Sequence, residues 1–191
     1  MSLTFFDYAS LPVSRWRNGG GETREIACWP VGGEDFGWRA SIATIEQNGP
    51  FSTFPEVERS ITLLAGDGVR LFSAEGHIDH ELAQSLQPFS FPGDIALEAT
   101  LLGGNSQDFN IMTRRGCWRA DVCIISGAQP LPVSRAGVVY VVRGDWQIQH
   151  EESRRLSHQQ GCWWTPMIRG GQLRPLVANS QLIWVDLLSA V

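Results

Sequence analysis

The apolar residues of this chain come in short runs separated by glycine, proline, asparagine and aspartate. Runs rich in Val, Ile, Leu, Trp and Phe stand at 38–45, 60–64, 68–72, 95–101, 109–113, 138–142 and 182–188. Runs of that length between turn-forming residues read as strands joined by tight turns. Only 81–86 hints at a helical turn. With 20 glycines and 10 prolines, long helices are disfavoured, because both residues weaken a helix interior. The pattern predicts an all-β sandwich or barrel.

The order of these segments then repeats. A strand, the turn Gly66-Asp67, a second strand, the turn Pro92-Gly93-Asp94 and a strand opening with Asn105-Ser106-Gln107 form the first copy. Gly144-Asp145, a glycine-containing turn at Gly161 and Asn179-Ser180-Gln181 mark the second. Chance similarity among β-turns is the competing explanation. Taken as a duplication, the pattern implies two barrels, each closing its own apolar face. The strand, Gly turn, strand, Pro-x-Gly turn, strand order is that of a cupin. The expected fold is therefore a double-stranded β-helix (cupin or jelly roll) present twice, a bicupin. Its lobes would span 1–120 and 121–191, packed as one compact unit, with the second lobe degenerate.

Composition narrows the function. Hydrophobic residues make up 43% and charged residues 18%, too apolar for a disordered body. The net charge is −5, every basic residue is an arginine, and no basic stripe forms, which argues against nucleic acid as a partner. The N-terminal stretch has no basic start followed by a sustained apolar run, and no run is long enough to cross a bilayer, so a cytoplasmic protein without membrane contact is expected. Cys28, Cys117, Cys123 and Cys162 show no CxxC pair and read as buried thiols in a reducing compartment. Metal-binding cupins carry two histidines and a glutamate in the first hairpin and another histidine after the Pro-x-Gly turn. Here 54–64 and 94–114 contain no histidine, while His77, His80, His150 and His158 sit near polar turns. No metal and no cofactor are expected.

Three segments carry candidate chemistry. In Trp16-Arg17-Asn18-Gly19-Gly20-Gly21-Glu22-Thr23-Arg24-Glu25, three glycines permit positive φ and close approach to a ligand or to a neighbouring strand. Consecutive N–H groups there would suit an anion nest; a flexible lead-in to the first strand is the alternative. Along Trp38–Ile45, strand alternation puts Arg39, Ser41, Ala43 and Ile45 on one face. Along the strand from Asp108, the residues Asp108, Asn110, Met112 and Arg114 share a face. Each polar face suits either a cavity, where arginine grips a carboxylate in a two-point pair, or ordinary solvent. Phe51-Ser52-Thr53-Phe54 would wall a pocket mouth or join the core. Arg59 would pair with Glu58 or Glu25, or hold a ligand. No GxSxG nucleophile elbow occurs. An acid–base carboxylate such as Glu25 stays open.

At these residues the chain resembles the HutD/Ves family. The matching stretches are Trp16 to Ile26, Asp35 to Ile45, Gly49 to Gly66, the Pro-Phe-Ser-Phe-Pro-Gly-Asp turn and Asp108 to Arg115. Beyond residue 115 the likeness is in layout only. The resemblance implies a bicupin whose pocket lies in the half carrying the motifs. It further implies an accessory protein of histidine utilisation that restrains the pathway by binding a small carboxylate such as N-formylglutamate, or urocanate. The Ves branch is described as stress-induced, and the three-glycine form looks closer to HutD. Carried over residue by residue, the ligand set is Asn18, Gly19, Gly20, Thr23, Arg24, Glu25, Arg39, Ser41, Phe51, Ser52, Arg59, Asp108 and Asn110. One departure stands in the loop Phe54–Arg59, where the family often has Gly and Asp; its larger side chains would alter the pocket mouth. The competing functions are an enzyme with Glu25 or Asp108 as general base, and an interaction module using the 8 tryptophans. A free β edge would allow a homodimer.

Overall fold

The computed structural model describes residues 3–32, 35–166 and 170–190. Its strands run in chain order as β1 (Thr4–Asp7), β2 (Val13–Arg15), β3 (Gly21–Trp29), β4 (Trp38–Ile45), β5 (Gly49–Phe51) and β6 (Val57–Ala65). There follow β7 (Val69–Ser73), β8 (Ile78–Leu82), β9 (Pro88–Pro92), β10 (Leu97–Leu101), β11 (Ser106–Arg114), β12 (Trp118–Ile125) and β13 (Gln129–Leu131). The last are β14 (Ala136–Arg143), β15 (Trp146–Gln149), β16 (Ser153–Leu156), β17 (Gln160–Trp164), β18 (Gly171–Pro175) and β19 (Gln181–Ser189). Among the described residues the only helical segment is a 3-10 turn at Tyr8–Ser10, and no helix is long and apolar enough to cross a membrane. The helical turn expected at 81–86 is absent. Glu81 and Leu82 instead finish β8, where alternation buries Leu82 and exposes Glu81.

The chain divides into two compact units, one of Pro12–Arg119 and one joining the residues up to Leu11 to Ala120–Ser189. This differs from a first lobe of 1–120. The cause is β1, which pairs antiparallel with β17 from Thr4↔Trp163 to Asp7↔Gln160. Phe5 packs against the apolar core of that unit, and the Asp7 carboxylate accepts from Gln160 Nε2 at 3.0 Å and Ala9 N at 3.0 Å.

In the Pro12–Arg119 unit, a six-stranded sheet ordered β2-β3-β4-β11-β6-β9 accompanies a four-stranded sheet ordered β5-β10-β7-β8. Ile45, Ile61, Leu63 and Phe91 from the larger sheet pack on Val69, Leu71, Leu82, Leu97 and Ala99 from the smaller. Each large aliphatic side chain buried this way contributes about 1.5–3 kcal/mol. In the other unit the sheets are β1-β17-β14-β19-β12 and β13-β18-β15-β16. Its core holds Trp146, Trp164 and Trp184 among aliphatic residues, with Trp164 and Trp184 edge to face at 5.7 Å.

The repeated Gly-Asp and Asn-Ser-Gln signals have one physical basis inside each unit. Gly66 has φ +91°, and a Cβ there would stand 2.2 Å from Asn105 O and 2.8 Å from Ser106 Cα. Gly144 has φ +76°, with Ser180 Oγ 2.2 Å from the same hypothetical atom. In both units a turn glycine lies against the serine of the Asn-Ser-Gln triplet, the first residue of β11 in one and the residue just before β19 in the other, which only a residue without a side chain permits. Ser106 Oγ also accepts from Gly68 N at 2.8 Å, fully buried.

The cysteines divide. Cys28 and Cys162 are buried as expected, but Cys117 and Cys123 are exposed. Cys123 lies on β12, an edge strand whose side chains alternate between exposed and half-buried.

Ser106→Ala would strand the buried Gly68 N–H without its acceptor. It is expected to cost about 1–3 kcal/mol, seen as a lower urea midpoint with an unchanged slope.

Candidate functional site

A cavity of about 750 Å³ opens within the Pro12–Arg119 unit, a size suited to a small organic molecule. Strand alternation and register build its floor. On β4, Arg39, Ser41 and Ala43 line it, and on β11, Asp108, Asn110 and Met112 do so. Register sets them side by side as Asp108↔Ala43, Asn110↔Ser41 and Met112↔Arg39. Thr23 of β3 joins opposite Ala43, and Arg59 of β6 opposite Met112. The opposite face of β4 and β11 carries Trp38, Ala40, Ile42, Phe109 and Ile111, all buried. Both polar faces left open by the sequence therefore line a cavity, except at Arg114, which is turned to Asp35 and the Phe36 carbonyl.

The walls are aromatic. Trp16 donates from Nε1 to Thr23 Oγ1 at 2.8 Å and meets Phe51 edge to face at 6.4 Å. The Arg59 guanidinium lies 5.4 Å from the Phe51 ring, 5.5 Å from Phe54 and 5.1 Å from Phe91. Such contacts compensate part of the cost of burying a cation. Arg59 forms neither of the ion pairs considered from sequence. Glu58 is taken by Arg115 at 2.7 Å and Glu25 by Arg39 at 2.7 Å.

The floor is buried and incompletely hydrogen-bonded. Asp108 is 2% exposed, Asn110 5% and Arg59 6%. Among the described residues, both Asp108 oxygens, Asn110 Oδ1 and Arg59 Nε lack a protein hydrogen-bond partner, although Arg59 Nη1 reaches Ser52 O at 3.4 Å. Buried polar atoms of this kind are costly and uncommon. Burial pushes the Asp108 carboxyl up to about 7, with Arg59 pulling the other way. Burial brings Arg59 down to about 10, which Asp108 opposes and Arg39 reinforces.

Of the residues expected at a ligand, Asn18, Thr23, Arg39, Ser41, Phe51, Ser52, Arg59, Asp108 and Asn110 line this one cavity. Gly19, Gly20, Arg24 and Glu25 do not. The glycines form a hairpin turn between β2 and β3. Gly19 N donates to Trp16 O at 3.0 Å and Gly20 N to Asn18 Oδ1 at 2.9 Å. Those N–H groups are satisfied by the protein, so the anion nest does not form. Gly21 settles the other alternative, since a Cβ there would sit 2.2 Å from Thr44 O of the neighbouring strand. Arg24 falls on the other side of β3 from Thr23 by alternation, with Glu22 at 3.5 Å. Glu25 acts on the cavity through Arg39, whose guanidinium it holds.

Ser14, Arg15, Trp16, Arg17, Ala43, Pro50, Thr53, Phe54 and Met112 complete the lining and were not in the expected set. Ser14 was legible once the hairpin was drawn, because register places it opposite Thr23. In the departing loop, only Phe54 and Arg59 reach the cavity. Glu56, with φ +61°, and Glu58 point instead toward Arg114 and Arg115. The loop is fastened to the Pro92-Gly93-Asp94 turn by Phe54 N to Gly93 O at 2.7 Å and Glu56 N to Asp94 Oδ1 at 2.9 Å.

The donor set does not suit the divalent metal of metal-binding cupins. It offers one carboxylate and no imidazole, and Arg59 and Arg39 bring positive charge to the same place. Among the described residues no group of three or more His, Cys, Asp or Glu is arranged to hold a metal.

An all-β fold with these sheets is of the cupin or jelly-roll type, and solved structures share it. The oxalate decarboxylase of Lactobacillus farciminis superposes with a TM-score of 0.68 over 96% of this chain and 85% of its own, at 8% identity. The relationship is narrower than the fold. The HutD family profile matches residues 8–183, and this chain belongs to the HutD family. Protein Ves of Cronobacter sakazakii is 41% identical over 186 residues, 97% of this chain and 98% of that protein. The structure of HutD from Pseudomonas fluorescens SBW25 superposes with a TM-score of 0.83 over 98% of this chain and 99% of its own, at 26% identity. Identity to this Protein Ves exceeds that to this HutD, against the expectation drawn from the three-glycine form.

The raised Asp108 carboxyl has a consequence for the free protein. Folding is favoured while Asp108 is neutral, and that contribution is lost as pH climbs from the ordinary aspartate range through about 7. Asp108→Asn is expected to match the wild type near pH 4 and to be more stable by about 1–3 kcal/mol near pH 8. Urea unfolding at the two pH values checks the sign.

Proposed function

We propose that this protein binds a small carboxylate metabolite in the Pro12–Arg119 cavity and acts as a cytoplasmic accessory protein of histidine utilisation, limiting flux through that pathway. On this reading each unit is one barrel of a bicupin, and the ligand site belongs to the Pro12–Arg119 barrel. The observation that carries the reading is the buried floor, where Arg59, Asp108 and Asn110 hold polar atoms that no protein group satisfies. Arg39 and Arg59 supply donors for a carboxylate. Ser41, Thr23 and Asn110 suit an amide or formyl group, and Trp16, Phe51 and Phe54 give the walls their shape. N-formylglutamate matches this chemistry, and membership of the HutD family supports the pathway assignment. Urocanate is the second ligand of the same class.

A catalytic reading draws on one observation, an Asp108 carboxyl held near neutrality, where general acid–base groups work best. Glu25 does not line the cavity and is engaged by Arg39. Turnover of N-formylglutamate by the wild type, abolished in Asp108→Asn, would establish it.

Calorimetric titration with N-formylglutamate, urocanate, histidine and glutamate tests the binding reading. One of the acids is expected to bind, with Arg39→Ala weakening it by about 10- to 100-fold, the worth of a charged hydrogen-bonded pair. Binding unaffected by Arg39→Ala would place the ligand elsewhere, and no binding would refute the reading.

A further inference from the structure

We propose that Asp108 selects the ligand by entering the complex as a neutral carboxylic acid that donates a hydrogen bond to an oxygen of the bound acid, so that binding takes up a proton from solvent. The inference rests on the reading of the cavity as a carboxylate site and adds the chemistry of its floor.

The geometry sets the problem. An anionic guest must settle among arginines and also beside a carboxyl group that is 2% exposed. Neither Asp108 oxygen receives a hydrogen bond from the protein, so no N–H or O–H group holds the ionised form. Register flanks it with Ala43 on β4 and Leu63 on β6, which offer no polar contact. The charged groups facing it are few. Arg59 from β6 favours the ionised form. Arg39 from β4 is shared with Glu25 of β3. Arg15 of β2, at the mouth, is engaged by Glu46 at 2.9 Å and Glu22 at 3.5 Å, and Arg17 stands in the adjoining hairpin. β5 contributes only Pro50 and Phe51.

Burial has therefore already brought the carboxyl to the edge of protonation before a guest arrives. A second negative charge beside it tips the balance, since two close carboxylates share a proton rather than both remaining ionised. The proton comes from solvent and stays on Asp108, and no covalent bond of the ligand changes. Once neutral, Asp108 becomes a donor. It offers an acyl or carboxylate oxygen at the floor a hydrogen bond, whereas an ionised aspartate has no donor and repels that oxygen. A ligand is thus admitted with its oxygen inward.

Titration of the wild type with the four acids near pH 8, in two buffers of different ionisation enthalpy, counts the protons exchanged. Any acid that binds serves, corrected for its own titration. Uptake approaching one proton is expected near pH 8 and almost none near pH 5.5, where Asp108 is already neutral. Affinity should fall about tenfold between pH 6 and pH 8. Asp108→Asn keeps a donor but cannot titrate, so its affinity should be flat over that range. Binding without proton exchange near pH 8 overturns the proposal and leaves the carboxylate site standing. Uptake that persists in Asp108→Asn assigns the proton elsewhere and also overturns it. If none of the acids binds, the carboxylate reading fails and this inference falls with it.

Discussion

A guanidinium buried among three phenylalanine rings, in the field of a buried carboxyl, is the arrangement on which the rest of the Pro12–Arg119 unit depends. Arg59 is held by Phe51, Phe54 and Phe91, and Asp108 opposes the loss of its charge on burial. A cation this deep is expensive, and among the described residues no direct ion pair neutralises it. Glu58 and Glu25, the carboxylates nearest in sequence or motif, are drawn off by Arg115 and Arg39. What remains is a charged, aromatic-lined interior with hydrogen-bonding capacity to spare.

Register turns this local arrangement into a site. Two long antiparallel neighbours, β4 and β11, bring small residues and polar residues to the same face in step. Ser41 and Ala43 leave the room that Asp108 and Asn110 face. At the other end of the same sheet the inward positions are Ile45, Ile61 and Leu63, which close onto the smaller sheet. One β unit thus holds a dry core and a polar cavity, separated by a change of side chain along continuous strands. The hairpin carrying Trp16 and the loop carrying Phe54 supply the wall, and backbone hydrogen bonds fix both.

Much of this was legible in the sequence, for identifiable reasons. Period-two alternation placed Arg39, Ser41 and Ala43 on one face and Asp108, Asn110 and Met112 on another without any tertiary information. The paired Gly-Asp and Asn-Ser-Gln signals marked contacts that the structure makes inside each unit. Other features were not legible, because they depend on partners distant in the chain. Whether Arg59 would pair or stay free turned on Arg115 capturing Glu58. The glycine triplet looked like an anion nest because its N–H groups had no visible acceptors; Asn18 and Trp16 provide them once the hairpin closes. The pairing of the N-terminal strand with β17 was not legible either, because β17 lies far along the chain.

The most direct test of the central claim is a crystal structure of the protein saturated with N-formylglutamate. The account predicts density on the cavity floor, with a carboxylate at Arg39 or Arg59 and a ligand oxygen within hydrogen-bond distance of Asp108. Ligand bound outside this cavity, or a floor occupied by protein side chains while the ligand sits elsewhere, would contradict it.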